Sequence, residues 1–123
     1  MQIAVIEIAR NLCGLKDANT TEIDAKTQHP VVDVMESQKE NLRLHKYGGS
    51  MRLGRYECKI QQGSLCSNAY RQNTIHERHR HRYEINNAYI PQLQEQGCVV
   101  AGTNPKTELV EIIEIKDLSL IHI

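Results

Sequence analysis

The apolar segment IAVIEIARNLC, residues 3–13, constrains the fold more than any other stretch. Ile3, Ile6 and the end at 9–13 recur near helical spacing, and Val5, Ile8 and Leu12 widen the stripe. That pattern predicts a helix with a broad apolar face. A helix normally opens on Ser, Thr, Asp or Asn, whose side chain satisfies the first free N–H groups. Here only Met1 and Gln2 stand in front, and the first turn is already apolar. Such a helix has to be covered by other elements. The expectation is therefore a helix from the inside of a larger layered domain, cut on its amino side and left with its apolar face exposed. Gly14 is expected to stop it.

The rest of the chain alternates strands and helices. DANTTEID (17–24) reads as a turn, since Asp, Asn and Thr bond locally to backbone. HPVVDVM (29–35) reads as a strand, and the polar, Gly-bearing residues 36–50 as a mobile loop. SMRLGRYECKI (50–60) is a strand by its alternation, and GSLCSNAYR (63–71) a short helix. TIHERHRHRYEIN (74–86) is mostly extended. NNAYIPQLQEQG (86–97) is a helix ending at Gly97, with Pro91 near its first turn. CVVAGT (98–103) and ELVEIIEI (108–115) are strands that can form a hairpin around TNPKT. No internal repeat or low-complexity segment interrupts this order.

A chain of 123 residues holds one domain with one core. With no Trp, no Phe and five Tyr, that core must be Ile, Val and Leu. Its 15 basic and 15 acidic residues cancel, so no net field draws it to nucleic acid or to a membrane. No apolar run approaches the ~20 residues of a membrane span. The amino end carries Glu7 and no basic region, unlike a secretory leader. The four cysteines, Cys13, Cys58, Cys66 and Cys98, form no C-x-x-C pair, which argues against a zinc site and for reduced thiols in the cytoplasm.

The strip from His76 to Arg82 packs three Arg and three His into seven residues. A charge run is commonly a solvated face. Three chemistries compete with that reading. His76, His79 and His81 suggest a metal site, with His79 and His81 on one face of a strand, but three flanking Arg oppose a cation. Nucleic-acid contact would use the Arg side chains on phosphates, but no stacking aromatics are interleaved and the chain is neutral. Recognition of a small anion needs one Arg at the end of a rigid strand, gripping a carboxylate. If the ligand also carries an ammonium group, Glu22 is a candidate partner.

MQIAVIEIARN, ANTTE, HPVVDVMESQK, GGSMRLG, ERHRHRYEINN and LVEIIE occur in an order that resembles the glutamine amidotransferase domain of the CTP synthase family. GGSMRLG and RHRHRYEIN are the specific motifs, which other class I amidotransferases would not be expected to carry. The resemblance covers nearly all of 1–117. It implies an α/β fold: a partial class I glutamine amidotransferase (flavodoxin-like) domain, a mixed sheet with flanking helices, truncated at both ends. Met1 and Gln2 look like the last two residues of the family's G-x-C-L-G-M-Q motif, whose Cys is the nucleophile. The family's His-x-Glu pair follows an acidic strand like the one that ends here near Ile115. The resemblance therefore implies that the nucleophile and that pair are absent and that this chain alone has no glutaminase activity. None of the four cysteines lies in a G-x-C-x-G turn that could replace the nucleophile.

By matching position, Met1, Gln2, Glu22 and Arg82 are implied to contact bound glutamine. Met1 would use its backbone, Arg82 would hold the α-carboxylate and Glu22 the α-ammonium. Arg78, His79, Arg80 and His81 would support this grip or face a neighbouring domain. Residues 36–50 match a loop linked in the family to activation by GTP. The family makes CTP from UTP and glutamine. ATP activates the uracil oxygen in an amino-terminal synthase domain that needs magnesium, and the parent is a homotetramer. The fragment itself is expected to hold no cofactor or metal and to contact neither nucleic acid nor membrane. The last six residues, LSLIHI at 118–123, match translated sequencing adapter and are expected to be artefact. The cut is expected to leave the chain poorly soluble. The alternatives are a stand-alone glutamine-binding module without catalysis and a nucleic-acid module.

Overall fold

The computed structural model describes residues 1–34, 52–115 and 120–122. The expected loop at 36–50 lies outside them. Helix α1 spans Gln2–Asn11, and Met1 gives it no side-chain cap bond, as expected. Val5, Ile6, Ile8 and Ala9 are buried. Ile3 and Leu12 are not part of the buried stripe, being 67% and 52% exposed. At about 100° per residue Ile3 points away from the buried face, and Leu12 is the C-cap, beyond the last turn. Gly14, at φ 73°, then reverses the chain, and the Leu15 N–H reaches back to the Ala9 carbonyl at 3.0 Å.

The expected exposure of the apolar face is not found. The face packs in one apolar cluster with Val31, Val32, Ile85 and Leu93. Val31, Val32 and Ile85 belong to a three-stranded sheet ordered β1–β2–β5. Strand β2 is Pro30–Val34 and β5 is Tyr83–Ile85. Strand β1, Asn19–Thr20, falls inside the stretch expected to be only a turn. It pairs parallel to β2, and β5 pairs antiparallel to β2 on the other side.

The second sheet has five strands in the order β4–β3–β6–β7–β8. Strand β3 is Arg52–Ile60 and β4 is Thr74–His81, paired antiparallel. Helix α2, Leu65–Tyr70, connects them and is capped by Ser64. A 3-10 turn at Asn87–Tyr89, capped by Asn86, leads into α3, Ile90–Glu95. Strands β6, Cys98–Thr103, and β7, Val110–Ile115, form the expected hairpin. Asn104 holds its turn by accepting the N–H groups of Lys106 and Thr107, both at 3.0 Å. Strand β8, Leu120–His122, pairs along β7. An apolar alternating sequence pairs in this way whatever its origin.

The β6–β7 hairpin separates two apolar clusters. Ile113 belongs to the α1 cluster, and Ile112 to a second cluster with Cys58, Ile60, Cys66, Ile75 and Ala101. The strip 74–86 crosses between them. It runs as β4 in the larger sheet, bends at Arg82, and continues as β5 in the smaller one. Among the described residues no helix is long and apolar enough to cross a membrane.

Candidate functional site

The edge where β1 and β2 end and β5 begins gathers the residues expected to bind a ligand. The pairing Val34↔Tyr83 puts Arg82 just past the end of β2. The Gln2 side chain, in the first turn of α1, donates to the Tyr83 carbonyl at 3.1 Å. Gln2 is therefore joined to the Arg82 bend through its neighbour, and Met1 precedes it in the chain. Glu22 follows β1 at the same edge. Thr21 fastens that turn, its N–H on the Val32 carbonyl at 3.1 Å and its hydroxyl on Asp33 at 2.7 Å. Glu22 itself is exposed, and its N–H meets Thr20 Oγ1 at 3.3 Å. Among the described residues no bond joins Glu22 to Met1, Gln2 or Arg82. Cavities of about 340 Å³ beside Glu114 and about 380 Å³ beside Arg55 are lined by none of these four residues.

The Arg/His strip divides by face. His76, Arg78 and Arg80 are exposed, whereas Ile75 and His79 are buried. His79 and His81 share a face, and His79 Nδ1 stands 2.8 Å from His81 Nε2. His79 Nε2 meets Glu111 Oε2 at 2.9 Å, off the line of an in-plane hydrogen bond. On the other side His81 Nδ1 lies 3.2 Å from Glu84 Oε1 and 3.2 Å from the Tyr83 carbonyl. The Tyr56 ring edge packs on His79 with centroids 5.8 Å apart. His76, on the other face, is not brought to this pair. Among the described residues no group of three or more His, Cys, Asp or Glu is placed to hold a metal ion.

Two of these carboxylates escaped the sequence reading. Glu111 and Glu84 are each only 2% exposed. Glu114, 4% exposed, also lies in the apolar run of β7. It accepts the N–H groups of Leu65 at 3.0 Å and Cys66 at 2.6 Å, at the start of α2. The signal available for two of them was the presence of two charges in VEIIEI, a strand apolar on both faces.

No family model matches the chain. Curated relatives do. Over 117 residues, 95% of this chain, it is 55% identical to a CTP synthase of Chlorobium phaeobacteroides, covering 20% of that protein. It is 49% identical over the same length to a CTP synthase of Bacillus subtilis, covering 21% of it. The solved glutaminase domain of Trypanosoma brucei CTPS, with bound acivicin, superposes at a TM-score of 0.86. That match has 34% identity and covers 98% of this chain and 46% of the other.

The chain is homologous to part of CTP synthase. It spans about a fifth of the length of the curated relatives it matches. Its fold is part of the CTP synthase glutaminase domain, a flavodoxin-like class I amidotransferase domain.

Three of the four thiols are shifted away from the thiolate. Burial first and Glu114 second push Cys66 from 9.0 up to about 11. Burial also raises Cys98 to about 11, and raises Cys13, where Glu95 adds to it. Reactive cysteines need the opposite, a lowered pKa.

Proposed function

We propose that this chain is the glutamine-holding piece of the glutaminase domain of a CTP synthase. The observation that carries the reading is the Gln2–Tyr83 bond, which ties the start of α1 to the Arg82 bend in a chain 55% identical to a CTP synthase over 117 residues. On this reading Arg82 grips the α-carboxylate of glutamine with its planar fork. Glu22 receives the α-ammonium, and Gln2 and the Met1 backbone line the remaining side.

Residues 1–117 are the partial amidotransferase domain, and 118–123 are adapter-coded. The whole enzyme is a cytoplasmic homotetrameric ligase of pyrimidine biosynthesis that makes CTP from UTP, ATP and glutamine. Its amino-terminal synthase domain, with ATP and magnesium, receives the ammonia, and GTP activates the glutaminase. On this reading the chain alone releases no ammonia: none of its four cysteines lies in a G-x-C-x-G turn, and burial raises Cys13, Cys66 and Cys98.

Calorimetric titration of the 123-residue chain with glutamine tests the binding role. The wild type should bind, and Arg82→Ala should weaken binding roughly 10- to 100-fold, as loss of a charge-assisted hydrogen bond does. Absence of binding, or equal binding by Arg82→Ala, overturns the reading. Cysteine-dependent ammonia release from glutamine would refute the inactivity.

A further inference from the structure

One face of the β3–β4 ribbon carries cations that no group of the protein answers. Directly opposite residues on antiparallel strands point the same way, and alternate residues along a strand share that face. Arg55 and Glu57 on β3 therefore share a face with their register partners Arg78 and His76 on β4. The pair Arg55↔Arg78 sets like charges opposite each other, an arrangement that costs stability by itself. The β6–β7 turn stands against this face. Asn104, only 4% exposed, holds the turn there with both polar atoms of its side chain. Its Oδ1 accepts the N–H groups of Lys106 and Thr107, and its Nδ2 donates to the Glu57 carbonyl at 3.0 Å. The cavity of about 380 Å³ lies between them, and Arg55, Glu57, His76 and Lys106 help to line it. That volume suits a small ligand. Among the described residues no hydrogen bond or ion pair engages the side chain of Arg55, His76 or Lys106.

We propose that this cavity binds a small phosphomonoester by its phosphoryl group. A phosphoryl group at neutral pH brings nearly two negative charges and three strong acceptor oxygens. Arg55 offers a planar fork for two of those oxygens. Lys106 brings a point charge from the turn, and His76 a ring N–H from β4. A single carboxylate, with two oxygens and one charge, would leave part of this set unanswered. Glu57 is the one carboxylate among the lining residues. It opposes a second phosphate and accepts from hydroxyl groups, so the alcohol part of the ester is a polyol. The cavity offers no platform for a nucleotide base. By strand alternation Tyr56 turns to the opposite face, where its ring packs on His79 with centroids 5.8 Å apart. Met1, Gln2, Glu22 and Arg82 are not among the lining residues, so the site does not rest on the glutamine reading.

The full chain, labelled with nitrogen-15 and titrated with glycerol 3-phosphate, provides the test. Resonance shifts should saturate at roughly millimolar ligand and centre on Arg55, His76 and Lys106. Shifts that spread over the exposed Lys and Arg side chains without saturating overturn the site, and this readout needs no variant. Arg55→Gln and, separately, Lys106→Gln should each weaken binding about tenfold, the loss of one hydrogen bond to a charged group. Arg55→Lys, which keeps the charge and loses the fork, should recover only part of that loss. Lys26→Gln, at an exposed position outside the cavity, should change nothing. Wild-type affinity in a folded Arg55→Gln chain, or a loss in Lys26→Gln as large as in Lys106→Gln, overturns the assignment. Two further probes fix the ligand class. Inorganic phosphate should bind more weakly than the ester, and equal or tighter binding overturns the role of the alcohol part. Adenosine monophosphate should bind no more tightly than glycerol 3-phosphate, and a tighter nucleotide overturns the polyol assignment.

Discussion

Gly102→Ala should destabilise the chain through a clash that one further substitution relieves. Gly102 is buried in β6, where the register against β7 slips on both sides of it. A Cβ there would stand 2.6 Å from Cys58 Sγ, and 3.0 and 3.1 Å from Ile112 Cδ1 and Cγ1. Carbon contacts are best at about 3.5–4.0 Å. Cys58 and Ile112 are each 1% exposed and packed among Ile60, Cys66, Ile75 and Ala101, which leaves little room to yield. Overpacking of this kind costs about 1–3 kcal/mol. Ala returns about 0.4–1 kcal/mol by restricting the unfolded chain. The clash therefore wins by about 0.5–2 kcal/mol. Urea denaturation of wild type, both single variants and the double variant Gly102→Ala, Cys58→Ala measures it. Without Sγ the new methyl has space, so the double variant should be less destabilised than the sum by about 1 kcal/mol. A neutral Gly102→Ala, or strictly additive variants, would refute the packing argument.

Glu114→Gln leaves one acceptor where the buried carboxylate met two N–H groups at the start of α2. It should cost about 1–3 kcal/mol in the same denaturation assay, and a change within about 0.5 kcal/mol would show that the carboxylate does not hold the helix. Cys66 and Cys98, raised from 9.0 to about 11, should show thiolate absorbance near pH 11 in the folded chain and near 9.0 in denaturant. The folded pKa being the higher, their contribution to stability is full below pH 9.0 and is lost as pH rises through about 11. Thiolate appearing near 9.0 in the native chain would contradict their burial.

The long strands were legible because alternation over eight or nine residues survives any reasonable error in the window, as in Arg52–Ile60 and Thr74–His81. The hairpin at TNPKT was legible because Asn104 makes its turn locally. Strand β1 was not. Two residues, Asn19–Thr20, carry no pattern, and only the partner strand makes them a strand. The bend at Arg82 was equally hidden, since extended residues on both sides read as one run. Composition could place His79 and His81 on one face. It could not supply Glu111, which arrives from β7, 32 residues beyond His79.

That bend explains why an Arg here suits recognition of one end of an amino acid. The strip is anchored on both sides of it by different cores. Ile75 packs into the second cluster, and Ile85 into the α1 cluster. Arg82 stands at the handover between the two sheets. Its backbone is thus fixed by two independently packed bodies, and Gln2 and His81 hold the adjoining peptide. A site carried on rigid elements loses little freedom on binding. Glu22 has less support: Thr21 ties its turn to β2, but the Glu22 side chain itself is exposed. On the proposed reading the carboxylate end of glutamine meets a preformed group. The ammonium end meets one that still has to be ordered, so the carboxylate contact sets the register of the ligand and Glu22 closes on it afterwards.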